Sequence, residues 1–227
     1  MKRLLISSLG LFLLLAVVVV VRTLMHQPPI FVAEDQVEIQ LDETVLAERL
    51  SESIQFQTVS FQSSDLKDRT QFTGFIEWVK SSYPLLNERL ELTMLNDSML
   101  YRWVGSDTSL PPILVTGHYD VVPVIPGSED LWQHPPFAGV IADGIIWGRG
   151  ALDDKSGVLG ILEAVTYLLE SGHQPTRTVY LSFGHDEEIG GSEGAAAIVD
   201  YLASQDVRLA WSLDEGSFVF DGIIPGV

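Results

Sequence analysis

The stretches ILVTGH (113–118), KSGVLGILEAVTYLLE (155–170) and TVYLSF (178–183) decide the fold class. The first is a short buried-strand pattern, Ile113 to Thr116, ending at Gly117-His118. The second puts Val158, Ile161, Leu162, Val165, Leu168 and Leu169 on one helical stripe, with Gly172 just past its end. The third is another strand and ends at Gly184. Beyond it, Ser192 is placed to N-cap a helix reaching about Leu202, and Leu209 to Leu213 reads as a strand ending at Asp214. Strands alternating with helices imply an α/β protein, here a three-layer α/β/α domain with a largely parallel central sheet. Upstream, a helix from Asp42 carries Val45, Leu46, Leu50 and Ile54 on one face. A second helix covers Arg69 to Ser82, with Phe72, Phe75, Ile76 and Val79 inward and Pro84 beyond its end. Glu91 to Val104 alternates and accommodates two strands around Asn96-Asp97.

Composition narrows the function. The chain has 227 residues, 46% of them hydrophobic, enough for one sizeable core. Lys and Arg total 13 against 31 Asp and Glu, a net charge of −18. A surface that acidic repels phosphate backbones, which argues against nucleic-acid binding. There is no cysteine, so disulfides and thiolate metal sites are excluded, and a metal would be held by His, Asp and Glu. At the N-terminus, Lys2 and Arg3 precede the apolar run Leu4 to Val21, which as a helix at ~1.5 Å per residue spans about 27 Å, close to a ~30 Å hydrocarbon core. The run ends Val20-Val21-Arg22-Thr23 without a small-residue cut site. Residues 1–25 therefore read as an uncleaved transmembrane anchor, with secretion after signal cleavage as the alternative. The basic N-terminus places the rest outside the cytoplasm. Residues 26–41 read as a stalk, since Pro28-Pro29 cannot continue a helix. Residues 42–227 form the layered domain.

The unusual residues stand at element ends. His118 and Asp120 follow the first strand. Asp186, Glu187 and Glu188 follow the second, Asp214 and Glu215 the third, and Asp153-Asp154 immediately precede the long helix. In open α/β sheets ligands bind beyond the carboxyl ends of the strands. Each cluster alone is ordinary: His-x-Asp is usually a surface pair, Asp-Glu-Glu a solvated turn, and Asp153-Asp154 a favourable charge at a helix N-terminus. Together they would crowd carboxylates whose repulsion a pair of divalent cations relieves.

Gly117-His118-Tyr119-Asp120-Val121-Val122-Pro123, Trp132 with Pro135-Pro136-Phe137, Asp143-Gly144, Gly148-Arg149-Gly150-Ala151-Leu152-Asp153-Asp154-Lys155, Gly184-His185-Asp186-Glu187-Glu188 and Leu213-Asp214-Glu215-Gly216 occur in that order. This series resembles the M20 family of metallopeptidases and aminoacylases, nearest its carboxypeptidase S and N-fatty-acyl-amino-acid synthase/hydrolase branch. The resemblance implies a zinc-dependent hydrolase that cleaves an amide bond next to a free carboxylate, in a peptide or an N-acyl amino acid. It implies two zinc ions, one held by His118 and Asp214, one by Glu188, with Asp153 bridging both. It further implies that Asp120 orients His118, that Glu187 is the general base, that the Asp153–Asp154 peptide is cis, and that a lid domain supports a homodimer.

The same resemblance asks for a further His ligand late in the chain, and none follows His185. The 227 residues thus read as the N-terminal part of a catalytic domain that lacks its lid and its remaining catalytic elements, inactive alone. Two other readings compete. Gly190-Gly191-Ser192-Glu193-Gly194 matches the G-x-S-x-G pattern of a serine hydrolase, although six residues separate Phe183 from Gly190 and no His follows. A non-catalytic, membrane-tethered module is the other; it would bind one metal weakly or none. His134 and His173 read as solvated, and His185 as a neighbour of the acidic motif, not a ligand.

Overall fold

The structure, a computed structural model, describes residues 2–26 and 39–216, with side chains in the first of these segments described from Gly10. It divides into two units, Met1–Gln40 and Leu41–Val227. In the first, helix α1 runs Lys2–Leu24, and its apolar side chains from Leu11 to Val21 are exposed. Among the described residues no helix is long and apolar enough to cross a membrane. The expected transmembrane helix therefore has no support in the structure, and most of the expected stalk lies outside the described residues.

The second unit begins with helix α2, Glu43–Gln55, capped by the Asp42 carboxylate, which accepts from the N–H groups of Thr44 and Val45. Helix α3, Arg69–Ser82, buries Phe72, Phe75, Ile76 and Val79 as its apolar periodicity requires. Pro84 does not merely follow that helix. It opens a further one, α4, Pro84–Arg89, at the position where a missing N–H costs nothing. Strands β1 (Glu91–Leu95), β2 (Ser98–Trp103) and β3 (Ile113–His118) follow, then a small hairpin of β4 (Val140–Ala142) and β5 (Ile145–Trp147). The remainder is helix α5 (Lys155–Glu170), strand β6 (Val179–Gly184), helix α6 (Ala195–Ser204) and strand β7 (Trp211–Leu213).

The five-stranded sheet has the order β1-β2-β6-β3-β7. β3 lies parallel to β6 and to β7, whereas β1–β2 and β2–β6 are antiparallel. The expectation of a largely parallel sheet is corrected to a mixed one. Part of the cause is local: Asn96, at φ 53°, and Asp97 form a two-residue reversal that returns β2 antiparallel to β1. Asp143 (φ 54°) and Gly144 (φ 75°) do the same for β4–β5, a hairpin that apolar periodicity in such short strands did not reveal.

Alternation along the strands sends side chains to both sheet faces. Met99, Tyr101, Leu181 and Phe183 join Phe72, Phe75, Tyr83, Val158 and Leu162 in the larger core, against α3, α4 and α5. Leu100 and Tyr180 pack on Ile198 and Leu202 of α6 on the opposite side. Helices thus cover both faces of the sheet.

The core also fixes where the strand ends lie. Tyr119 stacks on Phe75 with ring centroids 4.5 Å apart, and its hydroxyl donates to the Asp97 carbonyl at 2.6 Å. Thr58 Oγ1 donates to the Tyr119 carbonyl, and the N–H of Val121 donates to the Thr58 carbonyl. Lys155 is fully buried and donates from Nζ to the carbonyls of Ser53 and Phe56, each at 2.7 Å. Burial pushes its pKa down to about 7, outweighing the opposing pull of the Asp120 charge. These contacts tie the start of α5 to the end of α2, and so set the position of Asp153-Asp154.

Candidate metal centre

Parallel pairing of β3 and β6 puts His118 opposite Gly184, and the Tyr119 N–H donates to the Gly184 carbonyl at 3.0 Å. The residues following both strands therefore leave the sheet side by side. After β6 the chain makes one 3₁₀ turn, Glu187–Ile189, closed by Gly190 at φ 101°. This turn lets two sequence neighbours face the same region, as the Glu187-Glu188 pair required. Asp120, fully buried, holds it in place: one carboxylate oxygen accepts from the Glu187 N–H at 3.1 Å, the other from the Glu188 N–H at 3.2 Å.

Asp120 also holds His118. The Nδ1 atom lies 3.0 Å from the Asp120 carbonyl and 3.3 Å from Oδ1. A proton on Nδ1 donated to these oxygens leaves the Nε2 lone pair for a cation. Around Nε2 stand Asp153 Oδ1 at 3.0 Å, Glu215 Oε1 at 3.1 Å and Glu187 Oε2 at 3.7 Å. Two sets of ligand atoms converge on this ring, each within 4.8 Å of one another: His118 with Asp153 and Glu188, and His118 with Glu187 and Glu215.

The Asp153–Asp154 peptide is cis. Asp153 points to His118, while Asp154 is buried and accepts from the His118 backbone N–H at 3.2 Å. Its carboxylate lies over two glycines: a Cβ on Gly157 would overlap Oδ1, and one on Gly117 would come within 2.7 Å of Oδ2. Neither glycine can carry a side chain while Asp154 keeps this position.

The arrangement is electrostatically crowded. Burial lowers the pKa of His118, but Asp120, Glu215 and Glu187 together outweigh it and push it up to about 10. Burial, followed by Asp153, raises the Glu188 carboxyl above its usual range. Burial also raises Glu215, with Asp154, Asp153 and Glu187 adding to the rise against the opposing charge of His118. A divalent cation compensates such a set, and nitrogen plus carboxylate oxygen with no thiolate suits a borderline ion. The residues present fit the metal.

Asp214 is exposed, its carboxylate accepts from the neighbouring Glu215 N–H at 2.9 Å, and it belongs to neither convergent set. Of the two carboxylates at the β7 terminus, Glu215 is the one beside His118, with Oε1 3.1 Å from Nε2. The sequence offered both carboxylates at the end of β7, and nothing in its spacing chose between them. Asp214→Asn and Glu215→Gln separate the two. The variant that removes the ligand should lower bound metal, measured by elemental analysis, and the other should leave it near the unmodified level. Equal retention in both would remove the β7 terminus from the site.

Ser192 is not a helix cap: α6 starts after Gly194, and it is Asp186 that accepts from the Glu193 N–H at 2.7 Å. Nor is Ser192 at a strand–helix elbow, since β6 ends at Gly184 and α6 begins at Ala195. His185 is buried and pairs through Nδ1 with Ser98 Oγ at 2.7 Å, away from both ligand sets.

Residues 114–225 match the family model described as peptidase family M20/M25/M40. The chain carries a peptidase family M20 domain. "Probable carboxypeptidase S-like 2" of Dictyostelium discoideum is 40% identical over 223 residues, covering 95% of this chain and 43% of that protein. "N-fatty-acyl-amino acid synthase/hydrolase PM20D1" of Xenopus tropicalis is 43% identical over 185 residues, 80% of this chain and 35% of that protein. The chain thus spans less than half the length of these relatives. Among solved structures, an M20 family metallo-carboxypeptidase from Sulfolobus solfataricus superposes with a TM-score of 0.58 at 24% identity, over 78% of this chain and 38% of the other. At that identity the likeness concerns the fold. The M20 resemblance read from the motifs is confirmed.

Proposed function

We propose that this M20 domain contributes the metal-holding part of a zinc-dependent hydrolase that cleaves an amide bond next to a free carboxylate. The observation that carries the reading is the buried His118 ring, held by Asp120 at Nδ1 and faced at Nε2 by carboxylates from three separate segments. His118, Asp153 and Glu188 would hold one zinc, and a carboxylate of the β7 terminus would help hold the other. Bound zinc supplies a lowered water pKa and stabilises negative charge developing on the amide oxygen. The chain's own residues do the rest. Asp120 keeps the His118 tautomer fixed and, through two backbone hydrogen bonds, keeps the Glu187-Glu188 turn against it. Glu187, exposed at the edge of the cluster, takes a proton from the attacking water and returns it to the leaving amine. The relatives' names supply the substrate class: a C-terminal peptide bond or an N-acyl amino acid.

The experiment uses a polypeptide carrying these residues and extended to the length of the relatives. An N-acyl amino acid and a dipeptide are offered before chelation, after it, and after zinc is returned. Hydrolysis of at least one should disappear and reappear. Hydrolysis that survives complete metal removal would sink the proposal.

We also propose that the N-terminal apolar run tethers the protein to a membrane, with the M20 domain outside the cytoplasm. The run Leu4 to Val21, with no small-residue cut site, motivates this. The protein should sediment with membranes and keep its initial residues. A mature N-terminus beyond Arg22 would identify a cleaved signal instead.

A further inference from the structure

The loop between β3 and β4 and the hairpin that follows it line an open cavity of about 500 Å³ that shares no residue with the metal-holding set. Its walls include Ile125, Leu131, Trp132, His134, Trp147 and Arg149. The two indoles are fixed independently. Trp147 ends β5 and meets the His134 ring edge-on, with centroids 5.3 Å apart. Trp132 lies under the Arg149 guanidinium, whose Cζ is 5.2 Å from the ring centroid. Ile125 and Leu131 leave most of their apolar surface exposed at the rim.

Arg149 is the unusual member. Its backbone N–H donates to the Pro136 carbonyl at 2.7 Å, so the main chain is fixed. Apart from the Trp132 ring, its side chain finds no partner among the described residues: Nε is buried without an acceptor, and no ion pair to Arg149 forms. Glu129 and Asp130, in the adjacent 3₁₀ turn, are not within ion-pair distance of it. Other part-buried cations of this domain do find partners: Arg49 grips Glu163 with contacts of 2.8 and 3.0 Å, and Lys67 meets Asp97 at 2.7 Å. In a chain of net charge −18, this guanidinium, held on an indole face and lining a partly apolar cavity, has no anion beside it among the described residues.

We propose that this cavity binds a small carboxylate carried on an apolar body, with Arg149 taking the carboxylate and Trp132, Trp147, Leu131 and Ile125 taking the body. A planar guanidinium matches a carboxylate through two parallel hydrogen bonds. Stacking on Trp132 fixes its orientation before the ligand arrives. Apart from Ser128, Gln133 and His134 the walls are apolar, and with a single cation they suit a singly charged acid better than a phosphate; the positive charge disfavours apolar amines. An aliphatic acid and an aromatic acid share this chemistry, and two probes separate them.

The test is calorimetric titration of the whole chain with octanoate and with 3-phenylpropionate, and with neutral 3-phenylpropan-1-ol as the uncharged comparison. Each titration is repeated after chelation. At least one acid should bind, more tightly than the alcohol and equally well with or without metal; the tighter acid identifies the body the cavity prefers. Arg149→Gln should weaken that acid about tenfold, the loss of roughly one charge-assisted contact, and leave the alcohol unchanged. Should Arg149→Gln not fold, Leu131→Asp decides, because Leu131 is 86% exposed and its replacement sets a repelling carboxylate at the rim. It should weaken the acid at least as much. Absence of binding by both acids would overturn the site, as would affinity unchanged in a folded Arg149→Gln or in Leu131→Asp. Acid binding that vanishes on chelation would place the ligand at the metal centre and equally overturn it. Because the chelated protein is tested directly, failure here is distinct from failure of the hydrolase proposal.

Discussion

Glu187→Gln is expected to lower turnover by about 10²-fold or more, as loss of a general base does, while bound zinc and substrate affinity change far less. The expectation rests on how the Glu187-Glu188 turn is held. Asp120 grips both residues by their backbone N–H groups, so replacing either side chain leaves the turn in place. Glu187 Oε2 lies 3.7 Å from His118 Nε2, farther than the carboxylates of Asp153 and Glu215, and its side chain is 55% exposed. That is a group able to reach water and exchange protons with bulk solvent. Glu188 is less exposed, and burial together with Asp153 raises its carboxyl pKa, the mark of a charge awaiting compensation. Glu188→Gln should therefore deplete one metal. Both variants are measured in a polypeptide extended to the relatives' length, for turnover and for bound zinc under the same conditions. Since Glu187 also converges with His118 and Glu215, the opposite assignment is a defined outcome: zinc lost from Glu187→Gln and kept by Glu188→Gln would exchange the two roles. Normal turnover in both variants would show that this acidic motif does not carry hydrolysis.

What could be read from sequence follows physical scale. Helix α5 was legible because its stripe repeats over four turns, and α3 because Phe72, Phe75, Ile76 and Val79 recur at helical spacing. The convergence of His118, Asp153 and Glu188 was legible because each stands at the end of a regular element, and such ends come together in a layered sheet. Three features were not. The antiparallel side of the sheet depends on the pairing of β2 with β6, a long-range contact that alternation within either strand leaves undetermined. The β4–β5 hairpin was announced only by Asp143-Gly144, because three-residue strands are too short for a period to show. The placement of Glu215 instead of Asp214 beside His118 turns on a single backbone step after β7. One step in an extended chain reverses the direction of a side chain, and no spacing argument resolves it.

His118→Ala should strip most of the bound zinc and abolish hydrolysis, because His118 is the one residue common to both convergent sets. It is also the one nitrogen donor, and its ring is fixed at Nδ1 before any cation arrives. Without the ring, Asp153, Glu187, Glu188 and Glu215 face one another with no positive or neutral partner among them. The same geometry dictates a pH dependence. In the metal-free protein the His118 pKa is pushed up to about 10, so at neutral pH a proton occupies the ring that a cation needs. One proton must leave for each cation that His118 binds, so apparent zinc affinity should rise about tenfold per pH unit between pH 6 and 9. The sign for stability is opposite. A pKa raised from 6.5 to about 10 on folding stabilises the metal-free protein fully below pH 6.5, and that stabilisation is lost as pH rises through about 10. Raising the pH thus weakens the metal-free fold at this ring while strengthening metal binding there. The measurement is zinc titration of the 227-residue chain across this pH range, for the unmodified protein and for His118→Ala, with a thermal melt of each. A folded His118→Ala that retains full zinc content, or an unmodified affinity independent of pH, would remove His118 from the metal centre.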